Sequence, residues 1–247
     1  MGTTYSIKAI PLEKNMDTQI LKKGIDSVLF TLNKQMSTWD PSSEISLFNL
    51  THSVESYAIS ESFRRVLKAA LDVSEKTDGL FDITVFDLMK LWGFGPEPNS
   101  GIPNQKQVET VLSYTGYDKI SVTEKTIIKN HPETKLDLNA IAKGYAVDEV
   151  FHFLQSKGFT DLFVEIGGEV QCAGRNQLNK YWSIGIENPS GGNKSNQNFA
   201  AIVYSDGGAV ATSGNYRNFI ELDGEILGHT INPKTGYPIR TNVLSVT

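Results

Sequence analysis

Polar and apolar residues alternate from Thr3 to Ile10, which predicts a strand, and Pro11, with no N–H to give a ladder, ends it. From Asp17 the period changes. Ile20, Leu21, Ile25, Val28, Leu29 and Leu32 recur at helical spacing behind an Asp suited to the N-cap. Asp40-Pro41-Ser42-Ser43-Glu44 predicts a second helix start with Pro in the first helical position, and Ile45, Leu47 and Phe48 supply its buried side. A third helix is expected behind Ser60, with Phe63, Val66, Leu67, Ala70 and Leu71 as its stripe and Asp78-Gly79 near its end.

Gly95 to Pro103 collects Pro, Gly, Asn and Ser and reads as a loop, followed by a helix over Gln105 to Leu112. Lys119 to Thr123 and Thr126 to Lys129 form a hairpin pattern. A strand then runs into Leu136-Asp137-Leu138, and a helix from Ala140 to Lys157 is closed by Gly158. Beyond it the pattern is mostly β: Leu162 to Ile166, Val170 to Ala173, Trp182 to Ile186, Ala201 to Tyr204, Val210 to Thr212, Phe219 to Leu222 and Val243 to Val246, with Asp223-Gly224 as a hairpin turn. Helices and strands are partly segregated, which favours α+β over a doubly wound sheet. No internal repeat is visible, and Gly191 to Asn198 alone approaches low complexity.

The 247 residues allow one large domain or two closely packed lobes. A chain of this size buries roughly 70% of its surface on folding and needs no covalent staple. Cys172 is its one cysteine, so neither an internal disulfide nor a zinc ribbon is available. With 23 basic and 28 acidic residues, and the basic ones scattered, duplex nucleic acid is excluded as the expected partner. Apolar runs fall well short of the ~20 residues that cross a bilayer, and the first residues carry no signal-peptide pattern.

Several common catalytic patterns are missing: a Walker A loop, a Gly-x-Ser-x-Gly elbow, a His-Glu-x-x-His pair and, at Gly93-Phe94-Gly95, the third Gly of a dinucleotide fingerprint. Asp78-Gly79-Leu80-Phe81-Asp82 sets two carboxylates about a Gly, which suits a polar ligand and, more commonly, a C-cap turn. Asp137-Leu138-Asn139-Ala140-Ile141-Ala142-Lys143-Gly144 leads into a helix whose first amides and dipole favour phosphate. Lys143 adds a charge there, although an ordinary solvated Lys fits equally well. Glu165-Ile166-Gly167-Gly168-Glu169 reads as a bulge or as a close backbone approach to a ligand. Thr212-Ser213-Gly214-Asn215-Tyr216-Arg217 offers hydroxyls, amides and an Arg to phosphate or ribose, or is a plain turn. The turn-rich run from His229 to Pro238 holds one of four His residues, a side chain whose pKa suits proton transfer near neutrality, although a loop His is more often merely exposed. Trp39 either anchors the helix that follows or stacks on a flat heterocycle. Cys172, His52, His131 and His152 share no metal-ligand spacing.

Together, Met36-Ser37-Thr38-Trp39-Asp40 with Ser43-Glu44 and Asn49, then Asp78 to Asp82 with Leu91-Trp92-Gly93-Phe94-Gly95, resemble the FAD:protein FMN transferase (ApbE) family. Asp137 to Asp148, Glu165 to Glu169, Ala211 to Arg217 and His229 to Pro238 continue the resemblance in order and approximate spacing over essentially the whole chain. It implies an α+β, T-fold-like architecture of helices and antiparallel sheets, with residues 1–247 as a single domain. It also implies Mg2+-dependent transfer of FMN from FAD to a Ser or Thr hydroxyl of an acceptor protein, with release of AMP. FAD contacts are implied at Met1, Trp39, Leu80, Phe81, Asp82, Asp137, Lys143 and Ile231, with Thr212 and Ser213 facing the flavin site. The Ala140 carbonyl is implied as a Mg2+ ligand, and His229 as the group that takes the acceptor's proton. The acceptor would carry a flavinylation-type Ser/Thr motif, as on a membrane redox-complex subunit. The protein would be exported and lipid-anchored on the periplasmic side of the bacterial inner membrane.

Three departures modify these expectations. Asn139-Ala140 stands where members carry small Gly or Ser residues, and Asn232 replaces the usual Asp after His229. Members also continue past Ser245-Val246-Thr247 into a segment whose Asp and Thr bind Mg2+, so the domain is expected to lack that C-terminal part. Two other readings use the same residues: Mg2+-dependent hydrolysis of FAD to FMN and AMP, and noncatalytic flavin binding.

Overall fold

The computed structural model describes residues 2–11, 17–96, 98, 101–189, 199–215, 219–222 and 225–247. The elements run Tyr5–Ala9 (β1), Thr18–Met36 (α1), Glu44–Leu50 (α2), Tyr57–Ala58 (β2), Glu61–Lys76 (α3), Phe86–Leu91 (α4), Gln105–Leu112 (α5), Ile120–Val122 (β3) and Thr126–Lys129 (β4). They continue with Ala142–Ser156 (α6), Leu162–Ile166 (β5), Glu169–Ala173 (β6), Trp182–Glu187 (β7), Phe199–Ser205 (β8), Gly207–Val210 (β9), Ser213–Gly214 (β10), Phe219–Leu222 (β11), Glu225–Gly228 (β12) and Ser245–Val246 (β13). The mixture is α+β, as the segregated pattern predicts. The chain divides into two compact units.

One unit comprises residues 1–30, 143–216 and 243–247. Its main sheet has four antiparallel strands in the order β1-β5-β6-β9. Leu162, Val164 and Ile166 of β5 point inward, as do Val170 and Cys172 of β6, so the period of two is the burial pattern itself. Cys172 is a buried free thiol packed with Val170, Trp182 and Ile184. Asp17 caps α1 as expected, its Oδ1 accepting the Gln19 N–H at 2.8 Å. Gly24 on that helix lies against the Phe153 ring, whose tip occupies the space a Cβ would take. The strand expected at Val210 to Thr212 lies earlier, at β9. Val210 pairs with Val170, one residue from the start of β6, so the ladder has almost run out.

The other unit comprises residues 31–142 and 217–242. It holds α2 to α5, the three-stranded sheet β2-β4-β3 and the β11-β12 hairpin. The expected helix start at Asp40-Pro41 is corrected: α2 begins at Glu44, with Ser43 as N-cap accepting the Ser46 N–H. Asp40 instead organises the turn before it, accepting the Ser42 N–H at 2.9 Å, while Lys34 at 2.8 Å holds its carboxyl down at about 2. Helical spacing puts Ile45, Phe48 and Asn49 on the inner face and leaves Leu47, two residues after Ile45, outside, against expectation. Ser60 stands at the N-cap of α3, but its N–H and hydroxyl both go to Glu44, each at 2.6 Å.

A segment read as a strand, Leu136-Asp137-Leu138, is not one. The buried side chain of Asn49 accepts the Leu136 N–H at 2.7 Å and donates to the Leu136 carbonyl at 2.8 Å, replacing a neighbouring strand with a side-chain amide. Leu138 then accepts the N–H groups of Ile141 and Ala142, and this turn delays α6 to Ala142. The short α4, for which the pattern gave no expectation, packs Leu88 and Leu91 with Trp92, Val108, Val111, Leu227 and Ile231. Met1, the Asp223-Gly224 turn and residues 191–198 lie outside the described residues.

Candidate functional site

α3 ends in two successive left-handed residues, Asp78 (φ 51°) and Gly79 (φ 73°), with the Gly79 N–H on the Ser74 carbonyl at 2.7 Å. A Cβ on Gly79 would stand 3.2 Å from the Tyr117 ring, so both backbone angle and space call for glycine. This turn pushes Leu80 outward, 60% exposed, and turns Asp82 inward. The Asp82 carboxylate accepts the Thr84 N–H (2.7 Å), the Thr84 hydroxyl (2.6 Å) and the Tyr117 N–H (2.7 Å). Burial pushes its pKa up, and those three hydrogen bonds pull it back only in part.

Asp137 lies beside this turn, its N–H on the Ile83 carbonyl at 2.7 Å. Its carboxylate accepts the Asn139 N–H (2.7 Å) and side-chain amide (3.1 Å), and burial again raises the pKa. Asn139 and Ala140 are exposed in the turn that follows.

Because both acids are raised by burial, the native state binds their protons more tightly than the unfolded chain does. Stability then falls as pH climbs from 3.8 toward the native pKa values and is level above them. In Asp82→Asn the Asp82 share of that slope is expected to vanish. Urea midpoints measured between about pH 3.5 and 7 check this, and an unchanged slope would remove Asp82 as a source.

His229 follows β12 and is half-buried, with the Phe94 ring edge-on at 6.2 Å. The run after it is firmly tied. Ile231 is buried and bridges Pro238, the Asn232 side chain accepts the Lys234 N–H at 2.9 Å, and the Trp92 indole donates to the Gly236 carbonyl at 2.6 Å. Asn232 thus serves as a turn cap. Lys234 reaches Asp78 at 2.6 Å, joining the His229 run to the Leu80-Phe81-Asp82 turn. Trp39 is 66% exposed and gains little from packing, so the choice left open by its sequence falls against a helix anchor.

In the first-described unit, Lys143 contacts both carboxylate oxygens of Glu169, at 2.8 and 3.0 Å. Thr212 and Ser213 are exposed: the Thr212 hydroxyl meets that of Thr247 at 2.8 Å, and Ser213 pairs with Val246. Leu80, Phe81, Asp82, Asp137, His229 and Ile231 thus belong to one unit with Trp39 and Ala140, and Lys143, Thr212 and Ser213 to the other. Sequence reasoning assigned no individual role to Asn49, Lys234 or Glu169, and read Asp78 only as one of two carboxylates beside a Gly. The Gly-Gly-Glu and Pro-Lys-Thr-Gly strings were the available signals for Glu169 and Lys234. Among the described residues no three His, Cys, Asp or Glu side chains converge on a metal position. The Ala140 carbonyl by itself does not meet the octahedral oxygen shell that Mg2+ demands, so no chemical step is derived through a metal.

An exposed indole, two buried acids and a histidine held in a pinned turn thus belong to one unit of an α+β scaffold. The profile of the ApbE family matches residues 1–247, and the chain belongs to that family. It is 41% identical to the FAD:protein FMN transferase of Vibrio cholerae over 248 residues, covering 100% of this chain and 73% of that protein. The enzyme of the same name in Escherichia coli K12 is 34% identical, with 71% of its length covered. Among solved structures, the flavin transferase ApbE of V. cholerae superimposes with a TM-score of 0.89 at 39% identity, over 99% of this chain and 77% of that one. Flavinyl transferase ApbE of Pseudomonas stutzeri gives 0.88 at 33% identity, over 99% and 75%.

Proposed function

We propose that this chain transfers FMN from FAD to a Ser or Thr hydroxyl of an acceptor protein, releasing AMP and requiring Mg2+. The carrying observation is the match of this whole chain to enzymes of that name, with 41% identity to the V. cholerae protein over 73% of its length. In this reaction the acceptor oxygen attacks the FMN phosphorus of the pyrophosphate, the bond from that phosphorus to the oxygen bridging to AMP breaks, and AMP departs. His229 takes the acceptor's proton at an imidazole nitrogen. By family resemblance, Trp39, Leu80, Phe81, Asp82, Asp137 and Lys143 contact FAD, with the Lys143 charge suited to its phosphates. Met1 and Ile231 join these contacts, Thr212 and Ser213 face the flavin site, and the Ala140 carbonyl would supply one of the oxygens that hold magnesium. The acceptor is a protein with a flavinylation-type Ser/Thr motif, such as a membrane redox-complex subunit. A lipid-anchored position facing the periplasm goes with this reading, by family resemblance.

The test follows AMP release from FAD with Mg2+, with and without such an acceptor, together with covalent flavin fluorescence on the acceptor. Acceptor-dependent AMP with labelling is the expected result. AMP without labelling would indicate hydrolysis, and bound FAD with no AMP would indicate a flavin-binding role. Trp39→Ala is expected to weaken FAD binding about tenfold, since stacking of a base on an aromatic ring is worth roughly 1–3 kcal/mol, while leaving thermal stability nearly unchanged. Flavin fluorescence titration checks the first half and a melting curve the second; a lowered melting point with intact affinity would return Trp39 to packing.

A further inference from the structure

We infer that Glu169 is a positioning residue that holds the Lys143 ammonium where the FAD pyrophosphate meets it, an inference that rests on the flavin-transfer reading above. Lys143 lies in the first turn of α6, at the positive end of a 15-residue helix with no acidic residue in that turn. A cation there is opposed by the helix dipole and, unrestrained, swings toward water. Glu169, the first residue of β6, offsets that repulsion with both carboxylate oxygens.

The intervening turn is built for this pairing. Gly167 has φ +62°, and a Cβ on it would stand 3.1 Å from Lys143 Cδ and 2.9 Å from Thr3 Oγ1, so the lysine stem passes where any other residue would crowd it. At the other end of the same turn, Glu165 accepts the Gly168 N–H at 2.8 Å. The remaining ammonium contact, to the Gly167 carbonyl, is long at 3.5 Å. That donor is the one a phosphate oxygen can take over while Glu169 keeps its grip.

The experiment measures FAD dissociation constants for wild type, Glu169→Gln, Glu169→Asp, Lys143→Ala and the Glu169→Gln/Lys143→Ala double variant, with melting curves for each. Glu169→Gln and Lys143→Ala should each weaken FAD binding about tenfold, the size of one charged hydrogen bond, and the double variant no further, because both remove the same interaction. Glu169→Asp should recover part of the affinity. A Glu169→Gln effect that persists in full without Lys143, or tighter binding in Glu169→Gln, overturns the inference. Wild-type affinity in Lys143→Ala also overturns it, and leaves the transferase reading standing if that variant still labels the acceptor. Failure of the wild type to bind FAD overturns both.

Discussion

Replacing His229 by Ala is expected to lower the rate of flavin transfer by about 10²–10⁴-fold while FAD binding stays nearly unchanged. The size is that of a positioned proton acceptor removed from a transfer step. The selectivity follows from what surrounds the imidazole. Its run is held by the Trp92 indole on the Gly236 carbonyl, by Lys234 on Asp78 and by the buried Ile231, none of which involves the ring. The edge contact with Phe94 is among those the substitution removes. The variant should therefore keep its fold and its ligand and lose its chemistry. Covalent flavin formed on the acceptor per minute, compared with FAD affinity by fluorescence, separates the two. A rate within a few fold of wild type would remove His229 from proton transfer.

Asn49→Leu is expected to destabilise the fold by about 2–4 kcal/mol, because it leaves both the N–H and the carbonyl of Leu136 without their buried partner. Leucine is close in volume, so the loss is of hydrogen bonds rather than of packing. The consequence reaches the site, since Asp137 is the next residue and its place beside Ile83 depends on the path of that segment. FAD affinity should fall together with stability. Urea unfolding checks the first effect, and a change below about 0.5 kcal/mol would show that the segment is held by its neighbours Leu136 and Leu138 in the core instead.

Much of this architecture was legible beforehand, because the forces that make helices and strands act locally. The limits of α5, β5 and β11 follow directly from apolar period and turn residues. Errors occurred where a side chain took over a backbone role. Asn49 stands in for a strand beside Leu136, and no periodicity can express a partner 87 residues away. Ser60 looked like an N-cap, and holds that position, but spends its hydroxyl on Glu44. Pro41 suited a first helical position, yet Ser43 offered the better cap and α2 began there.

The candidate site divides in the same way. By itself the sequence determined the α+β class, and the resemblance carried by several short strings in register supplied the family and the residues implied for its chemistry. Tertiary structure alone decided what each of those residues faces: Trp39 outward into water, Asp82 and Asp137 into low dielectric that raises their pKa values, Lys234 on Asp78 and Lys143 on Glu169. Exposure, desolvation and ion pairing are properties of what surrounds a group, and those surroundings are assembled from residues far apart in the chain.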